Sequence, residues 1–160
     1  MKFEVKPIGV IRSPYKSEDN IPIQSYKSTA LGEAELFEGY SEGLDSLDGF
    51  SHIILLYWFH KTRIFKPRVT PYLDTEERGL FSTRAPSRPN PIGISIVRMV
   101  KIDGNIVKFE GADMLDGTPL IDIKPFVPEF DNREHATSGW LTNQFADENH
   151  DYLGDDRFAK

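Results

Sequence analysis

Residues 92–110 read IGISIVRMVKIDGNIVKFE. Two apolar, β-branched runs, 92–102 and 106–110, flank Asp103-Gly104. Asp-Gly between such runs is the signal of a tight β-hairpin, because only small or flexible residues accept the turn's positive φ. Working outward, residues 52–59 (HIILLYWF) form the strongest further strand, apolar on both faces. Such a strand needs cover on its outer side from a loop, the tail or another subunit. Shorter runs at 8–11, 30–37, 79–83 and 120–127 read as strands, and 42–47 reads as one helical turn. Residues 16–28 and 62–79, interrupted by Pro22, Pro67 and Pro71, read as loops, and a loop as long as the second usually carries function. Asp116-Gly117 marks another turn, and only the polar tail from Ala136 has room for a longer helix. About seven strands and little helix make an all-β barrel or sandwich the expected class.

The 160 residues suit a single domain, and 39% hydrophobic with 28% charged residues suits one buried core in water. Cysteine is absent, which excludes disulfide frameworks, thiol nucleophiles and thiolate metal sites and fits a reducing compartment. The longest apolar run, 53–59, is far below the ~20 residues that span a bilayer. The N-terminus lacks a signal-peptide core, so a cytoplasmic protein with no membrane partner is expected. Net charge is −6, yet residues 61–101 hold nine basic and three acidic residues and leave −12 for the remainder. A fold that gathers those cations would carry a basic face on an acidic protein; scattered, they are only a solvated surface.

Familiar chemistry is mostly excluded. His52 and His60 would share a strand face about 26 Å apart, too far to share a metal. His135 and His150 stand in polar surroundings, and no zinc motif occurs, so no metal is expected. Ser82, Ser87 and Ser95 lie in no nucleophile-elbow context, and neither a phosphate-binding P-loop nor a dinucleotide fingerprint is present. The unusual stretch is RAPSRPNPIG, residues 84–93. Its three prolines restrict their own φ and their predecessors, so Arg84, Arg88 and Asn90 are mounted on a stiff, irregular backbone. Such a loop carries function more often than packing, although a proline-rich edge turn with neutralised arginines is the plain alternative. Residues 113–119, DMLDGTP, are ordinary turn chemistry unless they meet that loop in space.

RAPSRPNPIG, running on from GLFST and followed by ISIV, resembles the signature of the TsaA-like (TrmO) family of tRNA methyltransferases. Residues 8–15 (IGVIRSPY), 47–52 (LDGFSH), 58–62 (WFHKT) and 113–119 with 122–125 (DIKP) resemble further family blocks in the same order. The resemblance runs from about residue 3 to residue 128, so residues 1–135 are expected to form the domain and 136–160 a polar, acidic tail. It implies a single-sheeted, closed β-barrel that binds S-adenosylmethionine as a homodimer. The activity implied is methylation of N6 of a threonylcarbamoyl-adenosine beside the tRNA anticodon. By the same resemblance, cofactor contacts fall on Gln24, Ser25, Tyr26, His60, Lys61, Arg88, Ile96, Asp113, Met114, Leu115 and Asp116.

Methyl transfer from a sulfonium asks for alignment more than for covalent chemistry, which suits a rigid loop and a pre-formed pocket. The exocyclic amine needs an acceptor to orient it, and Asn90, or a carbonyl freed beside Pro89 and Pro91, is the expected group. Arg63, Lys66, Arg68 and Arg84 are the expected tRNA phosphate contacts. Two other readings stay open: a module that holds S-adenosylmethionine without catalysis, and a domain whose basic loop docks an acidic partner.

Overall fold

The alternating runs become strands in the computed structural model of the protein, which describes residues 4–62, 64–146 and 153–158. In chain order these are β1 (Gly9–Arg12), β2 (Leu31–Leu36), β3 (His52–Trp58), β4 (Arg68–Val69), β5 (Arg78–Gly79), β6 (Ile92–Asp103), β7 (Ile106–Glu110) and β8 (Thr118–Pro125). Six of them close into an antiparallel barrel in the order β1-β2-β7-β6-β3-β8, with β8 returning to β1. The expected single-sheeted barrel is thus observed, while β4 and β5 form a small ribbon outside its wall.

Period-two alternation sets what the barrel encloses. Ile53, Leu55 and Tyr57 of β3 and Gly93, Ser95 and Val97 of β6 turn inward. They meet Ile11, Ala34, Leu36, Val107, Phe109 and Leu120 in one core. Two inward aromatics lie over glycines of the neighbouring strand. Tyr57 pairs with Gly93 and Phe109 with Gly32. A methyl group at Gly93 would come within 2.2 Å of the Tyr57 ring, and one at Gly32 within 2.5 Å of the Phe109 ring. The β6–β7 hairpin turns at Gly104, with φ +62, and Asn105 ties it to β2 through Leu36, donating from Nδ2 at 2.7 Å and accepting the amide at 2.9 Å.

Three expectations change. Residues 79–83 do not continue as a strand: after β5 the chain makes a one-turn 3-10 helix, Leu80–Ser82. The Ser82 and Thr83 hydroxyls bond the Gly79 and Leu80 carbonyls at 2.7 and 2.8 Å, offering the backbone local partners in place of a ladder. The last strand begins earlier than residue 120, at Thr118. The tail holds no long helix among its described residues. A four-residue α-helix, Pro128–Asp131, precedes it, and the tail itself has single 3-10 turns, the first entered through Gly139 at φ +56.

The tail is also more than a solvated appendage. Leu153 bridges Pro22, the Gly154 N–H donates to the Ile21 carbonyl at 2.7 Å, and Phe158 is buried with Val69, Leu80, Ala85 and Tyr72. Arg157 fixes this strap, pairing with Asp155 at 2.7 Å and donating to the Pro71 carbonyl at 2.7 Å.

Candidate active-site cleft

The strap, the 16–28 loop, the turn after β7 and the stiff 84–91 segment enclose a cleft of about 830 Å³ at one end of the barrel. Its floor begins with Tyr57 and Gly93 and continues to Asp113. Beneath the floor, Ser95 links the two polar groups. Its Oγ donates to Asp113 Oδ1 at 2.6 Å and lies 3.0 Å from the Tyr57 hydroxyl. With Asp113 ionised, the single Ser95 proton is committed to the carboxylate, so Tyr57 donates to Ser95. Burial, and after it the Asp113 charge, push the Tyr57 phenol above its ordinary range, so it stays protonated.

Asp113 is the perturbed group of the cleft. Burial pushes its carboxyl up to about 7. The hydrogen bonds from Ser95, from the Ser25 amide and from its own backbone, and the Arg84 charge, pull the other way without winning. His60 is held below its ordinary value, first by burial and then by the Lys61 charge, so it is neutral near pH 7. Arg84 Nη1 donates to Gln24 Oε1 at 2.8 Å and so ties the stiff segment to the first loop. Arg88 Nη1 donates to the Thr83 and Ala85 carbonyls at 3.0 and 3.4 Å, stapling its own loop.

Of the residues expected to hold the cofactor, Gln24, Tyr26, His60, Lys61, Arg88, Asp113, Met114 and Leu115 line this one cleft. Ser25, Ile96 and Asp116 are not in its lining. The Ser25 hydroxyl donates to the Ile96 carbonyl at 2.8 Å and anchors the first loop to β6. Asp116 accepts the Ser13 N–H at 3.1 Å and pairs with Lys16 at 2.7 Å, which locks two turns together and holds its carboxyl below the ordinary range. Nor does the structure bring Asn90 into the cleft: it is exposed, and its carbonyl accepts the Ile92 N–H at 2.7 Å in a tight turn between prolines.

Among the expected RNA contacts, Arg84 lines the cleft, and Lys66 lies outside it with no ion-pair partner among the described residues. Arg68 is paired with Glu77 at 2.7 Å, and Arg63 lies outside the described residues. Among the described residues no cluster of three or more acidic or histidine side chains is placed to hold a metal, and no helix is long and apolar enough to cross a membrane. The reading by residue type missed Phe81, Trp140, Leu141, Phe145 and Phe158 in the lining. The last four sit in the polar tail, where single apolar side chains dock without any periodicity.

Residues 10–132 match the family model described as the tRNA-methyltransferase O N-terminal domain. The chain belongs to this family. Over 137 residues it is 52% identical to a probable S-adenosyl-L-methionine-binding protein of Pyrococcus abyssi, covering 85% of this chain and 74% of that protein. The tRNA (adenine(37)-N6)-methyltransferase of Escherichia coli is 38% identical over 149 residues, covering 86% of this chain and 63% of that protein. Among solved structures, TrmO from Pseudomonas aeruginosa aligns with a TM-score of 0.74 at 37% identity, over 88% of this chain and 63% of that one. In this TrmO-family chain, three of the recognised blocks (58–62, 84–93 and 113–119) supply cleft residues. The block at 8–15 buttresses them, its Ser13 hydroxyl donating to the Met114 carbonyl at 2.7 Å.

Proposed function

We propose that this protein is a tRNA adenine-N6 methyltransferase that takes its methyl group from S-adenosylmethionine. The substrate is N6 of threonylcarbamoyl-adenosine beside the anticodon. The observation that carries this reading is one cleft, on the family barrel, that holds both a part-buried carboxylate, Asp113, and two arginines, Arg84 and Arg88, that form no salt bridge among the described residues. The name of the Escherichia coli relative supports the reaction, and that of the Pyrococcus abyssi relative supports the cofactor.

The donor set fits the cofactor. A sulfonium is a cation, and the cleft offers it the Asp113 carboxylate and the rings of Tyr57 and Phe59, which stand edge to face at 5.4 Å. When bound, S-adenosylmethionine supplies a methyl group on positively charged sulfur. Gln24, Tyr26, His60, Lys61, Arg88, Asp113, Met114 and Leu115 hold it, and Ser25, Ile96 and Asp116 brace those residues from behind. The Tyr57–Ser95–Asp113 chain fixes the carboxylate so that little reorganises during transfer. Arg84 and Lys66 meet tRNA phosphate.

The working unit is a homodimer in the cytoplasm. The outer face of the barrel supports this: Ile54, Leu56 and Trp58 of β3 pair with Ile96, Ile94 and Ile92 of β6. The three β6 isoleucines are 42, 46 and 40% exposed in the same order; Ile94 and Ile92 also line the cleft, so the apolar strip suited to a second copy borders the cleft directly.

The test is mass spectrometry of tRNA nucleosides from cells that lack this gene and cells that regain it. The expected result is a methylated threonylcarbamoyl-adenosine that disappears and returns with the gene. If the nucleoside profiles are identical, the protein binds its cofactor without this catalysis, the reading that the name of the Pyrococcus abyssi relative favours.

A further inference from the structure

Phe81 is 78% exposed, although the next residue back, Leu80, is buried. The 3-10 turn makes this possible, since its residues point roughly 120° apart and one can enter the small core while the next leaves it. The Arg88 guanidinium sits 5.6 Å from the Phe81 ring centre. Trp140 comes from the tail and is anchored beside it, its indole N–H donating to the Ser82 carbonyl at 2.9 Å with Arg78 5.3 Å from the ring centre. The only polar atom of the indole is thereby used, and both rings line the cleft from adjoining backbone positions.

We infer that Phe81 and Trp140 form a stacking platform for an unpaired nucleobase of the RNA substrate. The inference rests on the methyltransferase reading above. An adenosine in a hairpin loop must leave its neighbours before a cofactor in a cleft can reach its exocyclic amine, and the lost stacking has to be replaced. Aromatic faces replace it for any base, and cationic side chains among them take the flanking phosphates. The composition of the rim fits this occupant better than a second protein copy. Arg84, assigned above to phosphate, and the cofactor-holding Lys61 and Arg88 stand among the rings and form no salt bridge among the described residues, whereas the centre of a subunit interface is depleted of charge.

The experiment measures binding of a labelled anticodon stem–loop RNA by fluorescence anisotropy across a salt series, with Phe81→Ala, Phe81→Leu, Phe81→Tyr and Trp140→Ala. The alanine and leucine variants are expected to bind about tenfold more weakly or worse, and Phe81→Tyr within about twofold of the parent. The salt slope stays unchanged, because no phosphate contact is removed. Affinity for S-adenosylmethionine by calorimetry and the sedimentation of the protein also stay unchanged. Equal RNA binding by parent and alanine variants overturns the platform and leaves the functional reading standing. A loss confined to cofactor affinity assigns the rings to the cofactor instead, and a change in sedimentation assigns them to a contact between copies. If the parent itself binds no RNA at any salt, the functional reading falls and this inference falls with it.

Discussion

Asp113 is where folding and chemistry pull in different directions. Its carboxyl is raised to about 7 by burial, so the folded state holds the proton more tightly than the unfolded chain does. The sign follows directly: its contribution to stability is complete below about pH 4, the unfolded value, and is lost as pH rises towards 7. Asp113→Asn keeps the Ser95 hydrogen bond and removes the titration. Thermal unfolding from pH 4 to 9 is therefore expected to show equal melting temperatures at the acid end. Above pH 7 the variant should be the more stable. A parallel pair of curves would mean that the carboxylate is not buried as described. The cost the native protein accepts at neutral pH is consistent with a charge kept for a cationic ligand.

At the scale of elements, the Tyr57–Gly93 pair joins the barrel to the site. A methyl at residue 93 would collide with the ring, so Gly93→Ala is expected to cost about 1–3 kcal/mol and to displace the phenol from Ser95. In a Tyr57→Ala background the same change should cost much less. A double-mutant cycle by denaturant unfolding measures the difference, and strict additivity would rule out the contact. This pair was not visible in the sequence, because it depends on the β3–β6 register rather than on either strand alone. The hairpin at 92–110 and the strand at 52–59 were legible because local apolar, β-branched runs and an Asp-Gly turn carry them. The stiff 84–91 segment was legible for the same local reason. That it faces Asp113 was not, since residues far apart in the chain make that cleft. The 79–83 run shows the opposite error: its apolar residues suggested a strand, but two hydroxyls closed the backbone locally. Trp140 and Phe158 are single anchors in a polar tail, and no pattern of one residue can be read in advance.

Across the whole molecule, pairing decides which of the clustered cations are free for a polyanion. Arg68 and Arg78 are neutralised by Glu77 and Asp74, whereas Arg84 hydrogen-bonds the uncharged Gln24 amide, forms no salt bridge among the described residues and lines the cleft. Arg84→Gln should therefore weaken tRNA binding and lower its salt slope by about one unit, with Arg68→Ala doing less on both counts. The reverse ranking would move the RNA path from the cleft to the β4–β5 ribbon. The apolar strip on β3 and β6 makes a separate claim about assembly. Ile54→Lys, on the same strip but outside the cleft lining, is expected to convert a dimer to a monomer in sedimentation, and an unchanged dimer would place the interface elsewhere. The central claim is tested most directly with purified protein, methyl-labelled S-adenosylmethionine and tRNA that carries threonylcarbamoyl-adenosine beside the anticodon, followed by nucleoside mass spectrometry. The account predicts label on N6 of that nucleoside and its loss in a control tRNA with guanosine at the position. Measured cofactor binding with no label on adenosine in either tRNA would contradict it.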